Sequence, residues 1–133
     1  IVFKGEGALV QGLSYGLQGI KEKEVIAFYA AVGKGLKVGH EYSDHFEELH
    51  TLGFTLKSIT PSNSYDAAFR EDDRKYGFKT KKISHKMFSP GISIEVLGDL
   101  TKMIIHKKRE VIAIRDRGIA NFHRQIFSML WNK

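Results

Sequence analysis

Ile92-Ser93-Ile94-Glu95-Val96-Leu97, Leu100-Thr101-Lys102-Met103-Ile104-Ile105-His106 and Glu110-Val111-Ile112-Ala113-Ile114-Arg115 are three apolar runs broken at Gly98-Asp99 and Lys107-Lys108. Runs of this length, rich in β-branched residues and separated by turn formers, read as strands joined by tight turns. The stretch predicts an antiparallel meander. Downstream, Ile119, Phe122, Ile126 and Leu130 recur at helical spacing, with Phe127 and Trp131 beside them, and predict a closing helix over about 116–131. Upstream, the continuous apolar run Val25–Ala30 reads as a strand covered on both faces.

Working further outward, Ile1–Lys4 reads as a short strand. Leu9, Leu13, Leu17 and Ile20 mark one buried face of a helix over 6–20. Gly12, Gly16 and Gly19 weaken that helix, or let another backbone approach it closely. Tyr42, Phe46, Leu49 and Leu52 mark a second helix stopped by Gly53, and Phe54–Ile59 a strand before the turn Pro61-Ser62-Asn63-Ser64. Residues 65–76 are charged and weakly periodic, a short surface helix or a loop. Phe78–Ile83 alternates with Lys as an edge strand does. The order β-α-β-α-β-(α)-β-β-β-β-α, without repeat or linker, implies one α/β domain over 1–133, a mixed sheet flanked by helices.

The chain has 133 residues, among them nine Phe, five Tyr and one Trp, enough for a single core. It has no Cys, which excludes disulfides, thiolate metal sites and cysteine nucleophiles. No apolar run is long enough to span a bilayer, so a cytoplasmic protein without membrane contact is expected. Position 1 is Ile, not Met, which reads as a piece of a longer protein. The net charge of +6 is polarised: residues 1–73 hold 7 Lys/Arg against 11 Asp/Glu, and residues 74–133 hold 14 against 4. The basic half is either an anion-facing surface or a solvated face.

Several chemical motifs come close and fail. His40-Glu41-Tyr42-Ser43-Asp44-His45 carries one residue too many for H-E-x-x-H, and its histidines read as exposed helix residues. Gly33-Lys34-Gly35 before Gly39 is glycine-rich, yet Val38 breaks G-x-G-x-x-G; Lys34 is an anion contact or part of an ordinary turn. His106-Lys107-Lys108 fits the first half of the H-x-K-x-x-x-x-D pattern of phospholipase D-type enzymes, but Ala113 stands where the Asp belongs. No G-x-S-x-G is present. The pairs Glu47-Glu48 and Asp72-Asp73 are adjacent and so diverge on a helix. Phe78 and Phe88 serve core packing or base stacking. No enzyme, metal or cofactor is expected.

The segment Phe88-Ser89-Pro90-Gly91-Ile92-Ser93-Ile94-Glu95-Val96-Leu97-Gly98-Asp99 resembles the Ser-Pro, strand, Gly-Asp segment of TrmB-type transcriptional regulators. Val111-Ile112-Ala113-Ile114 and the helix Ile119 through Phe127-Ser128-Met129-Leu130-Trp131 are similar to the later strand and the aromatic-rich final helix of that family. Val2-Phe3-Lys4-Gly5-Glu6-Gly7 and Phe46 through Gly53 match it more loosely. These are packing and turn signatures, strongest over 88–131.

The resemblance implies a phospholipase D-like fold without its catalytic machinery. It further implies a regulatory, homodimeric domain whose DNA contact belongs to an N-terminal winged helix absent from this chain. Some relatives bind sugars, so a small effector is expected at the ends of the first three strands, near Gly5, Gly33, Lys34, Thr60 and Ser62. Two rival readings remain open: a standalone nucleic-acid-binding domain using the basic half, and a degenerate phosphodiesterase relying on His106.

Overall fold

A computed structural model of the chain describes residues 1–31, 39–64 and 73–133. The elements in order are β1 (Val2–Phe3), α1 (Ala8–Ser14), a 3₁₀ turn (Leu17–Gly19), β2 (Glu24–Phe28), α2 (Gly39–Thr51) and β3 (Thr55–Pro61). After these come β4 (Lys79–Ile83), β5 (Ser93–Leu97), β6 (Leu100–Ile105), β7 (Glu110–Arg115) and α3 (Arg117–Trp131). A helical turn at 73–76 precedes β4; the rest of the charged stretch, and the Gly33-Lys34-Gly35 turn, lie outside the described residues.

The strands form one seven-stranded mixed sheet in the order β1-β7-β6-β5-β2-β3-β4. The meander is present: β5, β6 and β7 pair antiparallel in sequence, with Leu97 opposite Leu100 across the Gly98-Asp99 turn. β2 joins β5 antiparallel, and β2, β3 and β4 run parallel. The lysine-bearing β4 is an edge strand, as its sequence predicts, and β1 closes the other edge against β7. The chain is therefore an α/β domain. Among the described residues no helix is long and apolar enough to cross a membrane.

One face of the sheet carries the main core. Leu9 and Leu13 of α1, Phe46 and Leu49 of α2, and Val25, Ala27, Leu97, Leu100, Ile104 and Val111 of the strands pack together there. The opposite face holds a smaller core of Phe28, Ile59 and Phe127 beneath α3. Ile26 and Phe28 point to this second face while Val25 and Ala27 point to the first, so the continuous apolar run of β2 is covered on both sides. Phe78 is buried in the first core, and the half-buried Phe88 packs against the second.

Two expectations about helices are corrected. The helix expected over 6–20 ends at Ser14, because Gly16 takes φ +75° and turns the chain into the 3₁₀ segment. In the closing helix Ile126 and Leu130 of the expected stripe do pack against the second core, but the docked face is turned toward Ala120 and Phe127. Phe122 is 60 % exposed and Ile119 lies at the surface, while Ala120 and Phe127 are buried. Apolar residues occupy more than half of the circumference of α3, so periodicity alone cannot choose which neighbouring stripe docks.

Both ends of α3 are capped. The Asp116 side chain accepts from the Ile119 amide at 2.8 Å. At the other end Lys81 Nζ donates to the carbonyls of Leu130, Trp131 and Lys133 at 3.1, 2.7 and 3.0 Å. An ammonium at the negative end of the helix is favourable, and it gives one residue of the basic half a structural task.

Gly12 allows close approach. A Cβ built there would collide with the side chain of Val111, so α1 rests directly on β7. Gly12→Ala should gain about 1 kcal/mol in helix propensity and lose about 1–3 kcal/mol to overpacking. We expect net destabilisation by urea unfolding, relieved when Val111→Ala is added; a stabilised Gly12→Ala would show that α1 is free to lift.

Candidate functional site

The polar residues of greatest chemical interest lie inside the domain. Glu95 on β5 and Lys102 on β6 are register partners, and both side chains lie on the face covered by α1 and α2. A tight hairpin fixes that register, so the sequence places the two opposite charges side by side. Both residues are fully buried. Glu95 collects donors from separate elements. Tyr29, just after β2, donates through Oη at 2.5 Å, and His45 of α2 lies with Nε2 at 2.9 and 3.0 Å from the two carboxylate oxygens. Lys102 Nζ donates to the Leu13 carbonyl at 2.5 Å, at the end of α1. One buried ionic cluster thus ties both helices to the sheet.

The electrostatics derive from burial and charge. Burial alone would raise the Glu95 pKa, but the adjacent His45, the Lys102 ammonium and the Tyr29 hydroxyl more than offset it and hold the carboxyl below its usual range. Burial pushes Lys102 down to about 8, against the opposing pull of Glu95 and Glu48. Burial, then the negative charge of Glu95, raises the pKa values of Tyr29 and Tyr42 well above the ordinary phenol value.

These shifts set a pH dependence. Between about 8 and the ordinary lysine value of 10.5, the unfolded chain holds the Lys102 proton and the native chain does not. The unfolded state therefore binds more protons, and stability rises with pH through that window, by at most about 1.4 kcal/mol per unit. Urea titrations between pH 8 and 10 should show this rise, and Lys102→Met should abolish it. A flat wild-type profile would mean that Lys102 reaches water.

A second polar group lies at the end of the sheet where β2, β3 and β6 finish and β5 begins. Ser93 Oγ accepts from the Ala30 amide at 2.9 Å and lies 2.8 Å from His106 Nε2; Tyr42 Oη lies 3.3 Å from the same nitrogen. Because Ser93 accepts from Ala30, its own proton is free to go to His106. Burial lowers the His106 pKa; nearby Glu41 opposes this and Arg109 adds to it. The imidazole is thus held neutral among hydroxyls, and among the described residues its Nδ1 has no hydrogen-bond partner. Lys108, the other half of the H-x-K pattern, lies exposed on the next turn.

The expected effector residues are scattered. Thr60 is buried at the end of β3 with Oγ1 unpartnered among the described residues, and Ser62 accepts from the His85 amide at 3.0 Å. Gly33 and Lys34 lie outside the described residues. Gly5, with φ +83°, comes just after β1 at the far edge, and four strands separate β1 from β3. At about 4.8 Å per strand, Gly5 does not share a small-ligand site with Thr60 and Ser62.

The reading of the α2 histidines as exposed is corrected for His45, which is 4 % exposed and bonded to Glu95; the His40 side chain lies outside the described residues. The signal was the helical stripe itself, since His45 falls three residues after Tyr42 and four before Leu49. Among the described residues no three His, Asp or Glu gather closely enough to hold a metal ion.

No family model matches the sequence, and no curated protein is similar to it. Among solved structures the fold is similar to that of TrmBL2, an archaeal chromatin protein with a novel mode of DNA binding. The TM-score is 0.69 at 9 % sequence identity, over 100 % of this chain and 49 % of that one. The chain thus spans about half the length of that neighbour. At this identity the likeness concerns the fold, an α/β arrangement also found in that chromatin protein.

Proposed function

We propose that this chain is the regulatory domain of a TrmB-like transcription regulator, with a phospholipase D-like fold that does no phosphodiester chemistry. The observation that carries the reading is the match of the entire chain to half of a DNA-binding chromatin protein, taken with the sequence resemblance over 88–131. In this reading the domain forms a homodimer in the cytoplasm, and DNA is held by another domain of the full protein. A small effector, a sugar among the candidates, binds at the strand ends around Thr60, Ser62, Ser93 and His106, with Gly33 and Lys34 as further candidates. It regulates by binding two states of the dimer with different affinity.

Chemistry supports a binding role for His106 over a catalytic one. A nucleophilic imidazole needs an orienting, activating partner, and the partners of His106 are the hydroxyls of Ser93 and Tyr42. Calorimetry with a panel of sugars and phosphosugars tests the effector; no heat at millimolar ligand removes it. Sedimentation tests the dimer. Turnover of a chromogenic phosphodiester, lost in His106→Ala, would replace this reading with an enzyme. Steeply salt-dependent duplex binding by this chain alone would make it a DNA reader.

A further inference from the structure

The outward face of α3 carries apolar side chains and no charge. Phe122 is 60 % exposed and Met129 74 %, and Ile119 lies at the surface one turn before Phe122. Between Arg117 and Lys133 every exposed residue along the helix is uncharged, in a chain of which 27 % is charged. Ile119, Phe122, Ile126 and Met129 follow one another in steps of three, four and three residues, the spacing of a seam between two helices. Among the described residues Ile126 packs partly against the second core, whereas Ile119, Phe122 and Met129 belong to neither core. A shallow open groove of about 500 Å³ runs beside Met129, lined by Asn121, Arg124, Gln125 and Ser128. The Arg124 guanidinium is engaged within its own chain, by the Asn121 side chain and the Gly98 carbonyl, so the groove's other polar groups are amides and a hydroxyl.

Charge selects the occupant. A nucleic acid or a charged peptide finds no counter-charge on this face. In a two-fold contact each patch meets its own copy, so a face with charge of one sign repels itself. Exposed Asp44 and Glu47 on α2, and exposed Lys79 and Lys82 on β4, set those surfaces against self-pairing. The α3 face has nothing to repel. Amides and hydroxyls both donate and accept, so they pair with copies of themselves. Phe122 and Met129 are two turns apart, about 10.5 Å, with Gln125 midway between them. Antiparallel helices that cross at Gln125 therefore set Phe122 of one copy against Met129 of the other.

We propose that the outward face of α3 is a two-fold interface between copies of this chain, with each Phe122 seated beside the other copy's Met129 and the two Gln125 amides paired at the axis. The proposal rests on the homodimer of the reading above and names the surface that forms it. A helix of 15 residues, about 22 Å long and 10 Å wide, buries roughly 400–500 Å² per copy, less than a stable standalone interface needs. The contact is therefore reversible in this chain alone, with a Kd on the order of 10–100 μM. It becomes stronger once another domain of the full protein holds the two copies together.

Sedimentation of this chain at up to about 1 mM, at least about ten times that Kd, tests the interface. The expected result is a reversible monomer–dimer equilibrium that Phe122→Ala weakens at least about tenfold. Gln125→Glu and Gln125→Lys should each be monomeric, because like charges meet at the axis, and an equimolar mixture of the two should dimerise again. Lys79→Gln, on β4, should leave the equilibrium unchanged. All these side chains are exposed, and circular dichroism of dilute samples checks that each variant is folded. A wild-type chain that stays monomeric throughout would overturn both the interface and the homodimer. A dimer indifferent to Phe122→Ala, or charge variants whose mixture associates no better than its parts, would overturn the interface and leave the homodimer to another surface.

Discussion

Glu95→Ala is expected to lower stability by about 3–5 kcal/mol, the range for breaking a buried ion pair from one side. The substitution leaves the fully buried Lys102 without its register partner, and it removes the carboxylate on which His45 Nε2 and Tyr29 Oη converge. The loss is mostly the cost of leaving the Lys102 ammonium buried and unpaired. Replacing both charges, as in Glu95→Leu with Lys102→Leu, should therefore recover more than half of it, since buried pairs exchanged for apolar residues are often neutral. Urea midpoints at unchanged m-value would measure both. A cost below about 1 kcal/mol for Glu95→Ala would show that water already reaches the carboxylate, and the cluster would then not bind α1 and α2 to the sheet.

The cluster also shows where sequence reading stops. The meander was legible because its β-branched apolar runs are broken by turn formers, and β4 because its lysines mark an edge. Glu95 and Lys102 were hidden in those runs, where a polar residue in a strand reads as solvent-facing. The tight turn at Gly98-Asp99 sets Leu97 opposite Leu100, and this register puts Glu95 opposite Lys102 on the face that also carries Leu97, Leu100 and Ile104. The information was present, but only if register is worked out before exposure is assumed. His45 was missed for a different reason: comparison with His40 drew attention to metal spacing and away from the apolar stripe to which His45 belongs. Gly5 was grouped with Thr60 and Ser62 because strand ends in sequence order look adjacent, whereas the sheet order puts four strands between β1 and β3.

The polarised charge has a structural meaning as well. Arg109 reaches Glu41 and Arg117 reaches Glu22, so ion pairs join the basic half to the acidic one. Lys81 caps α3, Lys102 is buried against Glu95, Arg115 pairs with Asp99, and Arg124 donates to the Gly98 carbonyl. With Lys82, which donates to the Ser64 carbonyl, and Lys75, which lies over the Tyr76 ring, at least eight of the 14 basic residues in 74–133 are engaged within the domain, which weakens the case for reading that half as a nucleic-acid surface. The surface pairs themselves contribute little stability, about 0–1 kcal/mol each; their significance is that the two halves complement one another across the fold.

Phe127→Ala is the other large expected effect, about 3–5 kcal/mol for a truncated core aromatic. Phe127 packs edge-on to Phe28 at 5.6 Å and stacks on Trp131 at 5.4 Å. Its core is small: Phe28, Ile59 and Phe127 form it, with partly buried neighbours around them. A satellite core of this size is expected to fail locally before the sheet does. Amide exchange should therefore accelerate in α3 well before it does in β5 and β6, whose side chains also belong to the main core. Phe122→Ala makes the comparison decisive, because that residue belongs to the stripe that helical spacing alone assigns to the core, yet it is 60 % exposed. It should change stability by no more than about 0.5 kcal/mol. If the two substitutions cost the same, α3 docks by the face that its sequence suggests, and the arrangement of Phe127 over Phe28 is wrong.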